Sequence, residues 1–126
     1  MMKKTEFYDK WLKSFANGVS EEAIQKYVVS TGNYLWHVFS WKLLNEKSYL
    51  SGEHAKDAYN NIDKKDAVCL MWFEDDETKS LVPAMYTAEA LEEWNEVYVA
   101  APDFSWTYMK THECTCGPYF MKIEIA

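Results

Sequence analysis

The sequence predicts an α+β domain in which a mixed sheet of about five or six strands is packed by about four helices and ends in a C-terminal β-hairpin. Three observations predict it. Apolar residues recur at helical spacing in the first part of the chain, short β-rich runs bounded by turn residues follow, and a Gly117-Pro118 breaker separates the last two of those runs. The 126 residues suit one domain spanning residues 1–126, and 48% hydrophobic and 17% aromatic content argues against disorder.

Phe7, Trp11, Leu12 and Phe15 lie on one stripe behind Thr5, a candidate N-cap, and Asn17-Gly18 ends the first helix. Ser20 followed by Glu21 and Glu22 opens a second helix that carries Ala23, Ile24, Tyr27 and Val28 and stops at Gly32. Residues 34–41 are apolar on both alternating faces and rich in β-formers, which reads as a central strand, with a buried helix as the alternative at this length. A third helix starts at Ser51-Gly52-Glu53 with Ala55, Ala58, Tyr59 and Ile62 in phase, and the strand-helix-strand order permits a parallel crossover. Residues 67–73 read as a buried strand, the acidic residues 74–77 as a solvated turn, and residues 81–85 as an edge strand marked by Pro83. Thr87 caps a fourth helix with Ala88, Leu91 and Trp94 in phase. A strand over residues 97–100 and the hairpin of residues 104–111 and 119–125 complete the chain.

Thirteen basic against twenty acidic residues give a net charge of −7, which opposes the electrostatics of free nucleic-acid binding and suits a basic protein partner. Met1 to Thr5 runs directly into Glu6, Asp9, Lys10 and Lys13 without the apolar core of a secretory leader, and no stretch reaches membrane-spanning length. The expectation is a bacterial cytoplasmic protein without membrane association, in which three cysteines, an odd count, stay reduced.

Chemistry concentrates in residues 103–120. His112, Cys114 and Cys116 are zinc-type ligands, but a single residue between the cysteines is too tight a bite for a structural site, and a fourth ligand would have to come from His37, His54 or Glu113. No metal and no other cofactor is therefore expected. Cys69 lies in an apolar run, where a thiol is inert. Continued as one strand, residues 106–112 place Trp106, Tyr108, Lys110 and His112 on one face, an aromatic and basic surface on which His112 would act as acid or base with Glu113 as its orienter. The competing reading is cross-strand packing by the two aromatics and a turn hydrogen bond by His112. His37 shares its predicted face with Leu35, Phe39 and Trp41, where a histidine usually serves as a satisfied core residue, and would join an acid-base site only by meeting His112 and Glu113 across the sheet. Neither a nucleophile elbow nor a phosphate-cradling glycine loop is present.

The segments Trp36-His37-Val38-Phe39-Ser40, Gly52-Glu53-His54-Ala55, Tyr98-Val99, residues 104–108, Thr111-His112-Glu113 and Gly117-Pro118-Tyr119-Phe120 resemble a family of small bacterial proteins found in Firmicutes, the domain of unknown function four-two-seven-five. The resemblance covers residues from about 30 to 120, and its most specific part is the Thr-His-Glu and Gly-Pro-Tyr-Phe ending. It implies no activity. It implies no fixed cysteine pair either, and it favours His112, Glu113 and His37.

Two functions follow as expectations. The first is a non-catalytic, acidic protein-binding module of the immunity or anti-defence type, because six Phe, six Trp and nine Tyr exceed what a domain of this size readily buries. Its expected binding residues are Trp106, Tyr108, Tyr119 and Trp36. The second is a small enzyme using His112 and Glu113, with His37, for acid-base chemistry on a small polar substrate.

Overall fold

A computed structural model describes residues 2–113 and 115–123. The fold is α+β and places helices on both faces of a six-stranded sheet. The helices are α1 (Lys4–Phe15), α2 (Glu21–Tyr27), α3 (His37–Ser40), α4 (Gly52–Asn61) and α5 (Ala88–Leu91). The strands are β1 (Leu50–Ser51), β2 (Val68–Met71), β3 (Lys79–Ser80), β4 (Val97–Ala100), β5 (Trp106–Lys110) and β6 (Tyr119–Lys122), in the order β1-β6-β5-β4-β2-β3.

Every hydrogen-bonded pair is antiparallel, so the sheet is antiparallel where a mixed one was expected. The cause of the misreading is burial. Val97, Tyr98, Val99 and Ala100 are all inaccessible, and a strand covered on both faces reads as the continuous apolar run more usual in parallel sheets. A crossover does exist, between strands that do not touch. β1 and β2 point the same way because four antiparallel steps separate them, and α4 spans the three strands between.

Strand alternation sorts the side chains into two cores. On one face Leu70, Tyr98, Ala100, Met109, Tyr119 and Met121 meet Phe7, Trp11 and Phe15 of α1, together with Leu35, Trp36, Val38 and Phe39. On the other, Cys69, Met71, Val97, Val99, Trp106, Tyr108 and Phe120 meet Ala55 and Tyr59 of α4 and the segment carrying Leu81, Met85, Ala88 and Leu91. Burial of each large side chain contributes on the order of 1.5–3 kcal/mol. The predicted hairpin forms, with Tyr108 opposite Phe120 and Met109 opposite Tyr119.

Residues 34–41 are not a strand. Val38, Phe39 and Ser40 donate backbone bonds to Leu35, Trp36 and Trp36, so the run closes into turns and α3, burying Leu35, Trp36, Val38 and Phe39 while leaving Trp41 exposed. The apolar count was satisfied by helical spacing rather than by alternation. Residues 81–85 hold the 3₁₀ turn Pro83–Met85, and the edge strand lies just before it. Helix α1 is preceded by Lys3 rather than capped by Thr5, whereas Ser20 and Thr87 do accept bonds from Ala23 and Ala90. Helix α5 stops at Leu91, which leaves Trp94 outside it and exposed. The acidic turn is more than solvated surface. Asp75 is buried, accepting from the Met71 N–H at 3.0 Å and pairing with Lys79 at 3.0 Å. Ile125, placed by the sequence in the last strand, lies outside the described residues.

The two layers on the first face are tied by one polar chain. Trp11 Nε1 donates to Thr107 Oγ1 at 2.9 Å, and the Thr107 hydroxyl donates to the Val99 carbonyl at 2.7 Å, all of it buried. Thr107→Val keeps the shape and strands both partners, so urea unfolding should show a loss of about 1–3 kcal/mol, with Thr107→Ser recovering most of it.

Candidate functional site

The site is built around Glu96, the residue before β4. Alternation gives it the same sheet face as Tyr98, and it is fully buried there, 0% exposed. Its Oε1 accepts from Trp36 Nε1 at 2.9 Å and from the His112 backbone N–H at 3.2 Å, and it pairs with His112 Nδ1 at 2.6 Å. Its Oε2 accepts from the Tyr98 hydroxyl at 2.5 Å. A carboxylate out of water is tolerable only when hydrogen-bonded, and both oxygens are, Oε1 three times and Oε2 once. Burial, reinforced by Glu96, pushes the Tyr98 phenol well above its ordinary range, so it stays a donor. With Nδ1 committed to Glu96, the other ring nitrogen, Nε2, faces Glu113 Oε1 at 3.5 Å.

His112 reaches this place because β5 ends at Lys110. The alternation that put His112 beside Trp106 and Tyr108 stops there. The Thr111 hydroxyl turns back to the Glu113 and Cys116 carbonyls, and His112 drops onto the opposite face. Gly117 allows the return, since its φ is +81° and a Cβ there would meet Tyr119 and Thr111 at 3.1–3.2 Å.

His37 stands nearby, but at the start of α3. Its Nδ1 donates to the Tyr27 carbonyl at 3.2 Å and lies 2.7 Å from Thr31 Oγ1. Burial is the largest influence on it and lowers its pKa. The two imidazoles flank the same rings. Tyr34 is 5.6 Å from His37 and 4.9 Å from His112 between ring centroids, and Trp36 is 4.4 and 5.7 Å from them. Phe73 closes the cluster, 5.9 Å from Tyr34 and 5.5 Å from His112.

Two concavities adjoin this cluster. A cleft of about 250 Å³ is lined by Lys56, Glu92, Lys110, His112, Glu113 and Cys116, without His37. Lys56 is held there by Glu92 at 2.6 Å and Lys110 by the Asn95 carbonyl at 3.1 Å. A wider groove of about 540 Å³ is lined by Lys4, Tyr8, Asp9, Gly32, Asn33 and Trp72. Gly32 carries the Tyr34 ring against it, where a Cβ would come within 2.8 Å of that ring.

The expected binding residues are corrected by burial. Trp106, Tyr108, Tyr119 and Trp36 are 5%, 1%, 7% and 3% exposed, because helices cover both faces of the sheet. Tyr59 stacks on Tyr108 at 4.3 Å and Phe39 on Tyr119 at 5.0 Å. The aromatic side chains left in solvent are Phe73, Trp41 and Trp94. Glu113 is exposed and touches His112, but the carboxylate that orients the imidazole is Glu96. Cys116 lines the cleft, Cys114 lies outside the described residues, and burial pushes the Cys69 thiol up to about 11. Among the described residues no three metal-binding side chains gather. The signal that could have found Glu96 is one acidic residue leading the apolar run Val97-Tyr98-Val99-Ala100, in phase with a tyrosine.

Glu96→Ala strands the Trp36 N–H and the His112 imidazole in a dry site, and unfolding in urea should register a loss of ~3–5 kcal/mol. A loss below ~1 kcal/mol would show that the carboxylate does not hold these segments together.

No helix of the described residues is long and apolar enough to cross a membrane. No curated protein and no solved structure matches the chain. The family model of a domain of unknown function, DUF4275, matches residues 2–120 and so takes in α1, the Glu96 network and the Thr111-His112-Glu113 turn together. The chain belongs to the DUF4275 family.

Proposed function

We propose that the protein is a non-catalytic, acidic protein-binding module whose contact surface is the ring cluster of Tyr34, Phe73, His37 and His112. One observation carries this reading. Phe73 is 47% exposed and touches Tyr34 and His112, which are themselves half-buried, so a connected aromatic surface reaches solvent. The small cleft beside it takes in His112 and Glu113 without His37, which argues against one pocket gathering all three. A net charge of −7 supports an immunity or anti-defence role in which the module caps a basic protein. A reducing, cytoplasmic setting in a bacterial cell is part of this reading, in keeping with a chain of three cysteines, an odd count.

Affinity capture with wild-type, Phe73→Ala and Tyr34→Ala baits, followed by titration of the captured protein, tests the surface. A central aromatic anchor is worth about 2 kcal/mol or more, so the variants should bind roughly 10-fold or more weakly with unchanged circular dichroism. Equal affinities would remove this surface as the interface.

The Glu96–His112 pair favours a second reading, acid-base catalysis. A buried carboxylate holding Nδ1–H fixes an imidazole so that Nε2 can take a proton beside the cleft, with Glu113 at its rim. The cleft volume suits a small polar substrate. Hydrolysis of p-nitrophenyl esters that falls roughly 10²–10⁴-fold in His112→Gln and persists in Phe73→Ala would establish it. Rates unchanged in His112→Gln would exclude it.

A further inference from the structure

We infer that the partner of this surface presents an arginine, whose guanidinium seats on the exposed ring of Phe73, beside Tyr34 and the carboxylates that follow Phe73 in the chain. The inference rests on the binding-module reading above and names the chemistry of its partner.

The first observation is a cation already bound next door. Lys4 of this chain lies over the Trp72 ring at 4.2 Å and donates to the Trp72 carbonyl, so the Trp72 face is occupied. Phe73 is the next residue, and among the described residues no lysine or arginine lies over it or over Tyr34. An exposed ring that can attract a cation thus follows directly in the chain on one that already holds a cation.

The second observation is the charge around those rings. Phe73 leads directly into exposed Glu74, Asp76 and Glu77, Glu113 stands exposed beside His112, and Asp9 lines the groove that Gly32 and Tyr34 border. Of these, Asp9, Glu74 and Asp76 have no ion-pair partner among the described residues. The neighbouring ammonium groups are engaged, Lys3 with Glu77 at 3.6 Å and Lys4 with Trp72. Burial, the largest influence on His37, lowers its pKa and so disfavours its charged form.

The third consideration selects arginine. A guanidinium is flat, weakly hydrated and able to stack on a ring while its edge donates to carboxylates, which an ammonium cannot do at once. The other exposed aromatic near acidic residues, Trp94, has no ring partner among the described residues, and its neighbour Glu92 is taken by Lys56.

The test is a titration of the ¹⁵N-labelled full chain with the peptide acetyl-Gly-Arg-Gly-Arg-Gly-amide, followed by amide shifts, beside peptides in which lysine or citrulline replaces both arginines. The expected result is shifts centred on Asn33, Tyr34, Phe73 and His112, binding about 3-fold or more weaker for lysine, and none for citrulline, which keeps the shape without the charge. Phe73→Ala and Glu74→Gln should each weaken binding by about 5-fold. Shifts centred on Trp94 and α5, equal shifts with citrulline, or no shift up to ~10 mM peptide would overturn the inference. The two readings fail separately. A captured protein that needs Phe73 and Tyr34 but tolerates loss of its arginines removes the guanidinium and leaves the binding surface, whereas one indifferent to Phe73→Ala removes the surface itself.

Discussion

The Glu96 carboxylate is the constraint on which the arrangement of this domain depends. A fully buried acid has no low-cost alternative to being hydrogen-bonded, and its four donors come from three stretches of chain: the turn into α3, strand β4 and the turn after β5. Hydrophobic contacts around it would accept many small displacements. A carboxylate with its two oxygens filled at 2.5–3.2 Å accepts few. The same bonds that close the fold on this side also orient the His112 ring, which packs against Tyr34 and Phe73, so stability and surface chemistry share one set of atoms here.

How much of this was legible follows from which interactions are local. Helices α1, α2 and α4 could be read because their stripes are set by spacing within one segment, and Phe7-Trp11-Phe15 and Ala55-Tyr59 are buried as that spacing requires. The hairpin was legible for the same reason, its strands bracketing Gly117-Pro118. Residues 34–41 were misread because an apolar segment buried on all sides carries no period that separates strand from helix, and only the bonds it makes decide. The direction of strand pairing was hidden for a related reason. Once helices cover both faces, alternation between polar and apolar residues disappears from the sequence.

At the site, residue types were legible and partners were not. His112 and Glu113 stood out in the sequence as residues that packing does not easily explain, and the structure gathers the imidazoles of His112 and His37 around Tyr34 and Trp36. Glu96 escaped because its role depends on contacts 60 and 16 residues away in the chain. The four aromatics expected at the surface were drawn inside by the second helical layer, and an aromatic count alone cannot anticipate that layer.

The sheet is six strands wide, yet its outermost members, β1 and β3, are two residues each. Such an edge offers a neighbouring chain almost no free backbone donors or acceptors, and on one side Lys79 adds a charge to it. Strand addition by another protein, or by a second copy of this one, is thereby disfavoured at β1 and β3. Edges this short also give self-association into ordered fibres a poor ladder on which to begin.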